Sequence, residues 1–333
     1  MNRRPGQVDH TCHTPAAHEI ASLETCSMMN STETLHELQY LFALQRSNIQ
    51  SLGVDPLSAT VNQKYVAIRP ILLKAIVAVA THHQMSDDVV YLAASILDAF
   101  VAKNNLAPMA SINFLHQQNQ VFALASLSAA AKFIDGPGVY YKNNSLLNIK
   151  TCQTCTLQQI KLSHYIESWQ NAWKQLQHNS AAKLNLERLE KQILCQAVDI
   201  KPLDVQQPQI KLAVMIDWRF NRATPNCFLQ VFAARHLILG NEQGHDVRWV
   251  EESMPWVKYF CESSIMNDIG IKYNGSCIAS ASIISSHKFL YDKCDFQKDI
   301  DSSCLKNLYC ITNITDQTEL EDCVNAILDF HNV

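Results

Sequence analysis

Cys152 and Cys155 stand in a Cys-X-X-Cys pair, the spacing that can hold zinc or carry dithiol chemistry. Zinc wants four ligands, and no second pair of this kind or matching His pair accompanies it, so no metal is expected. His82, His83 and His164 read as surface or packing residues. Trp169 and Trp173 lie four apart, which puts both rings on one helix face; packing is the expectation, not a stacking platform for nucleic acid. A nucleophile elbow, a phosphate loop and a paired metal motif are all missing, so neither an enzyme nor a cofactor is predicted. Asn30, Asn143, Asn274 and Asn313 open glycosylation sequons that an intracellular chain would not use.

The composition narrows the partners. The chain has 333 residues, enough for two helical domains, and its 47% hydrophobic content is ample for real cores. Glycine (8) and proline (10) are too scarce for the many turns of a β-sandwich. A net charge of −4 and no basic stripe speak against a nucleic-acid binder and favour a protein partner. The first fifteen residues show no apolar signal region, and the twelve cysteines are scattered irregularly. Reduced, mostly buried thiols in an intracellular protein are therefore expected. No apolar run approaches the ~18 residues that span a bilayer, so no membrane partner is expected.

Periodicity organises the rest. Residues 1–33 are polar and aperiodic and read as a mobile tail; a solitary helix then spans about 34–50. Ile68, Ile71, Leu72, Ala75, Ile76 and Val79 mark a helix over 65–82. Ser86-Asp87-Asp88 opens the next, with a capping hydroxyl and two acids at the positive end of the helix dipole. Residues 120–133, QVFALASLSAAAKF, are small or apolar on every side, the pattern of a helix buried at the hub of a bundle. The pattern weakens over 135–182, which reads as an insertion. It resumes at Leu184–Leu194 and again over 209–220. Thr224-Pro225 starts a second group, whose own small-residue segment begins at Gly275 and whose last helix covers 319–331. The prediction is an all-α chain of two tandem groups of about five helices, each with a small-residue helix third in order, preceded by one N-terminal helix.

This layout and four motifs resemble the cyclin family over roughly residues 34–332. Ile68-Arg69-Pro70-Ile71-Leu72 is similar to the start of the first cyclin-box helix, usually Met-Arg-Ala-Ile-Leu. Leu92-Ala-Ala-Ser-Ile-Leu-Asp98-Ala-Phe100 resembles the second-helix motif, Leu-Ala-X-X-X-Leu-Asp-Arg-Phe. Ala129-Ala-Ala-Lys132-Phe133 resembles the end of the third helix, Ala-Ser-Lys-Phe-Glu-Glu. Asp217-Trp-Arg-Phe, followed by Thr224-Pro225-X-X-Phe228-Leu229, resembles the junction between boxes. The boundaries implied are a first box with its preceding helix over 34–222, carrying an insertion near 135–182, and a second box over 223–333. The solitary helix and the Trp-bearing junction are similar to J-type cyclins.

The resemblance implies roles. Arg69, Asp98 and Lys132 fall where the family places a buried charged cluster, with Arg69 and Asp98 paired inside the first box as structural supports. Lys132, with Phe133 beside it, would grip the backbone of a cyclin-dependent protein kinase in a heterodimer. The companion position, usually a glutamate, falls on Gln209 by counting back from the junction, or on Glu190 if Leu189–Leu194 is the fifth helix; Gln209 fits the spacing better. The patch that docks Arg-X-Leu motifs in the family falls on Ile68, Ile71, Ala75, Ala78 and Gln120. Ala75 and Ala78 replace its usual Trp and Glu, so docking there is expected to be weak or absent. Ala99 and Ile134-Asp135 are further departures from the family pattern. The function implied is a regulatory subunit, nuclear or cytoplasmic, that activates a serine/threonine kinase in cell-cycle control. The alternative is a cyclin-fold adaptor, or a transcription-associated cyclin-box protein, without kinase activation.

Overall fold

A computed structural model describes residues 31–52, 63–104, 112–134, 153–180, 199–234, 247–294 and 317–331, and every regular element among them is helical. The N-terminal helix α1 is Ser31–Leu52. It begins three residues earlier than the sequence pattern suggests, so the end of the expected tail is helical. The first box contains α2 (Gln63–His82), α3 (Asp87–Asn104), α4 (Ile112–Ile134), α5 (Gln153–Ser180) and α6 (Pro202–Met215). The second contains α7 (Pro225–Ala234), α8 (Val247–Met266), the single turn α9 (Ile269–Lys272), α10 (Gly275–Cys294) and α11 (Gln317–His331).

Each box is organised around its small-residue helix. Ala123, Leu124, Ala125, Leu127 and Ala130 of α4 are fully buried, and α4 packs against α2, α3, α5 and α6. In the second box α10 packs against α7, α8, α9 and α11, with Cys277, Ala279, Ser280, Ala281 and Ser282 fully buried. Buried hydroxyls on such helices need acceptors, and they find them one turn back. Ser126 donates to the Phe122 carbonyl at 2.8 Å, Ser280 to Ser276 at 2.9 Å and Ser282 to Ile278 at 2.8 Å. Cys261, Cys277 and Cys323 are buried free thiols; burial pushes the Cys261 thiol up to about 12.

Helix α5 departs from expectation. Part of a supposed insertion, it instead buries Leu162, Tyr165, Ile166, Trp169, Ala172 and Trp173 and packs against α2, α4 and α6 as an integral member of the first box. The two tryptophans are stacked with centroids 5.8 Å apart and planes 15° apart, inside the core. His83, half-buried at the end of α2, meets Ser168 at 3.0 Å and the Tyr165 ring edge-on at 4.8 Å. Its pKa is lowered, first by desolvation and then by His82 beside it.

The boxes are joined by a buried ion pair. Arg69, 1% exposed, donates from Nε and Nη2 to the two carboxylate oxygens of Asp98, both at 2.7 Å, and Tyr65 Oη donates to the same carboxylate at 2.6 Å. The pair does more than support the first box. Arg69 Nη1 crosses to the second box and donates to the carbonyls of Ile265 and Asn267, both at 2.6 Å, at the C-terminus of α8. Those carbonyls are orphaned by the helix end, and a cation suits that end of the dipole. Gly270 makes room for this crossing. A Cβ there would lie 2.9 Å from the Ile265 Cα and 3.1 Å from Arg69 Nη2.

Removing the carboxylate alone strands a buried guanidinium. Asp98→Ala is expected to cost ~3–5 kcal/mol in urea unfolding, against about 1 kcal/mol for Tyr65→Phe, which keeps the ion pair. A small loss for Asp98→Ala would mean that the buried guanidinium does not depend on this carboxylate.

Candidate functional site

Lys132 ends the buried run of α4 and is exposed, as are Phe133 and Ile134 after it. It does not join Arg69 and Asp98 in one buried cluster, because α4 carries it past the core to the surface. There its Nζ donates to Gln209 Oε1 on α6 at 3.0 Å. Desolvation lowers the Lys132 pKa. Glu190, the other candidate companion, lies outside the described residues, as does the periodic stretch around it.

Helix α6 is placed by its own ends. Pro202 occupies the first turn, where its missing N–H is no loss, and the Lys201 N–H donates to the Asp204 carboxylate at 2.9 Å. The helix was expected over 209–220. It starts earlier at this proline and stops at Met215, because Asp217 and Trp218 take left-handed backbone angles, φ 54° and 59°. Such angles are uncommon for a bulky residue. Several contacts hold them: Lys103 pairs with Asp217 at 3.1 Å, the Trp218 N–H donates to the Ala213 carbonyl at 2.6 Å, and Arg219 donates to Ser47 Oγ at 3.0 Å. The turn leaves the Trp218 indole 65% exposed.

Val205, Leu212 and Ala213 face the core, so the opposite side of α6 faces outward. That side carries Leu203, Ile210 and Val214, all more than half exposed. Phe133 and Trp218 each lie beside Phe220, at 6.0 and 6.5 Å between ring centroids. The end of α4, the outer side of α6 and the junction thus each present large apolar side chains, while Gln209, one turn from Val205 and from Ala213, lies on the side of α6 that faces α4. Exposed apolar residues grouped in this way mark interaction surfaces. Gln209 Nε2 is buried and has no hydrogen-bond partner among the described residues. Its Oε1 is the acceptor of the Lys132 hydrogen bond.

The other site residues lie apart from this surface. Ile68, Ile71, Ala75 and Gln120 are buried, and only Ala78 is exposed. Gln120 Oε1 accepts from Trp169 Nε1 at 3.4 Å, which ties α4 to α5. The exposed residues Leu203, Ile210 and Val214 were missed by sequence reasoning. Their spacing of seven and four along α6 was the available signal, hidden by the late start assigned to that helix.

Residues 32–196 match the family model for the N-terminal domain of cyclins, and residues 223–333 that for the C-terminal domain. The chain belongs to the cyclin family. Its two helical groups are two cyclin boxes in tandem, and cyclins are regulatory, non-enzymatic proteins. No curated protein matches the chain. Among the described residues of this cyclin, no His, Cys, Asp and Glu side chains are grouped to hold a metal; Cys152 lies outside them. No described helix is long and apolar enough to cross a membrane.

The Lys132–Gln209 contact is neutral on one side. In Gln209→Glu a carboxylate faces the ammonium and favours its charged form, so the Lys132 pKa is expected to rise. Titration of the Lys132 side chain by NMR checks this; an unchanged value would mean that the two groups are not in contact.

Proposed function

We propose that this cyclin binds a cyclin-dependent serine/threonine kinase through the surface centred on Lys132 and Gln209, and switches it on allosterically. The observation that carries the reading is the 3.0 Å hydrogen bond between these two side chains, on helices that also carry the exposed Phe133, Ile134, Ile210 and Val214. In the mechanism the family resemblance implies, the first box packs against the kinase helix bearing a glutamate and presses it inward, so that the glutamate pairs with the phosphate-binding lysine. The apolar side chains supply contact area. The remaining Lys132 donors suit backbone carbonyls of the partner, and Gln209 holds the ammonium in place. The same reading puts the complex in the nucleus or cytoplasm, with a role in cell-cycle control; the net charge of −4 argues against a nucleic-acid partner.

Co-purification of the tagged protein from its own cells, followed by a histone-type phosphorylation assay, tests this. A stoichiometric kinase is expected. Lys132→Ala is expected to weaken it by ~1.5–3 kcal/mol, roughly 10- to 150-fold. A well-folded wild type that brings down no kinase overturns the proposal in favour of a cyclin-fold adaptor.

Docking of Arg-X-Leu segments is not part of the function proposed. Ile68, Ile71, Ala75 and Gln120 are covered, and the usual Trp and Glu are absent. A fluorescent Arg-X-Leu peptide is expected to show no micromolar binding in a polarisation assay; saturable binding in that range would contradict this.

A further inference from the structure

A cavity of about 160 Å³ lies between α1, α3, the junction and the start of α10, away from the Lys132 surface. Much of its wall is apolar, with Ile49, Val101, Ala102 and Ile278 among the lining side chains. Three charged groups also line it: Arg69, Asp98 and Arg222. Their charges do not cancel. Both Asp98 oxygens are taken by Arg69 and Tyr65, and every nitrogen of Arg69 is committed to Asp98 or to the carbonyls of α8.

Arg222 is the surplus cation. Its Nε donates to Ser95 Oγ at 2.7 Å, while its two terminal nitrogens make no hydrogen bond to a described residue. Desolvation pushes its pKa down to about 10, with Asp98 opposing the shift. Arg222 is half-buried, and a carboxylate matches the planar fork of a guanidinium with two parallel hydrogen bonds. The space available sets the rest of the ligand. An apolar cavity of about 150 Å³ accommodates a benzene ring.

We propose that this cavity between the boxes is a binding site for a small organic carboxylate, its acid group on Arg222 and an apolar body of about one ring against Ile49, Val101, Ala102 and Ile278. Occupancy would bring α1, the first box and the second box onto one ligand. The site is independent of the kinase reading.

Benzoate is the probe, titrated into the full chain by calorimetry and by ligand-observed NMR at constant ionic strength. Saturable binding is expected, weakened at least about tenfold by Arg222→Met, which removes the fork but keeps the stem. Ala102→Leu fills the cavity and leaves Arg222 in place, so it is expected to abolish binding in a protein with unchanged circular dichroism. Benzyl alcohol, with the ring but no charge, is expected to bind at least about tenfold more weakly than benzoate. No saturable binding by the wild type overturns the proposal, as does binding that survives Ala102→Leu. Inorganic phosphate binding as tightly as benzoate overturns the assignment of an apolar body.

Discussion

The arrangement of the two boxes depends on one desolvated guanidinium. Arg69 lies in the first half of α2, almost wholly out of water, and such a charge is tolerable only if it is paired and its nitrogens find acceptors. Asp98 on α3 accepts two of its hydrogen bonds, and the buried carbonyls at the end of α8 accept two more. Satisfying one side chain thus fixes α2 against α3 and the first box against the second. Gly270 shows how close this approach is. Gly275 does the same at the start of α10, where a Cβ would lie 3.0 Å from the Ala223 carbonyl of the junction.

With the boxes fixed, the small-residue helices set what reaches the surface. Because α4 has Ala or Ser at Ala123, Ala125, Ser126, Ser128, Ala129, Ala130 and Ala131, neighbouring helices approach it on every side. Its exposed end then emerges between them with Lys132, Phe133 and Ile134. Helix α6 packs on α4, which brings Gln209 to Lys132 and turns Leu203, Ile210 and Val214 outward. The left-handed turn at Asp217 and Trp218 closes this surface on its far side. It is pinned from α3 by Lys103 and from α1 by Ser47.

Motifs of different length were legible to different degrees. The hub helices were plain because an all-round small and apolar composition over fourteen residues has few other solutions. The ends of α6 were not. Its first turns, Leu203 to Gln207, are mostly polar and pair one buried apolar residue, Val205, with an exposed one, Leu203, too little to show a core-facing stripe, while the left-handed residues after Met215 carry no glycine to announce them. Helix α5 was hidden for a related reason. Its buried face is built from Tyr165, Trp169 and Trp173, aromatic residues spaced among Gln, Lys and His that dilute the hydrophobic average.

From the sequence alone came the all-helical class, the tandem order of two groups, the family resemblance and the identity of Arg69, Asp98 and Lys132 as residues of interest. These follow from local periodicity and short motifs, which a linear chain displays directly. The tertiary structure alone decided that Arg69 binds across the boxes, that Lys132 stands apart from Asp98 and beside Gln209, that α5 fills the first box, and that Arg222 lines a cavity with terminal nitrogens that meet no acceptor among the described residues. Each of these depends on side chains far apart in sequence, and on which of their hydrogen-bonding groups remain unmet once the helices have packed.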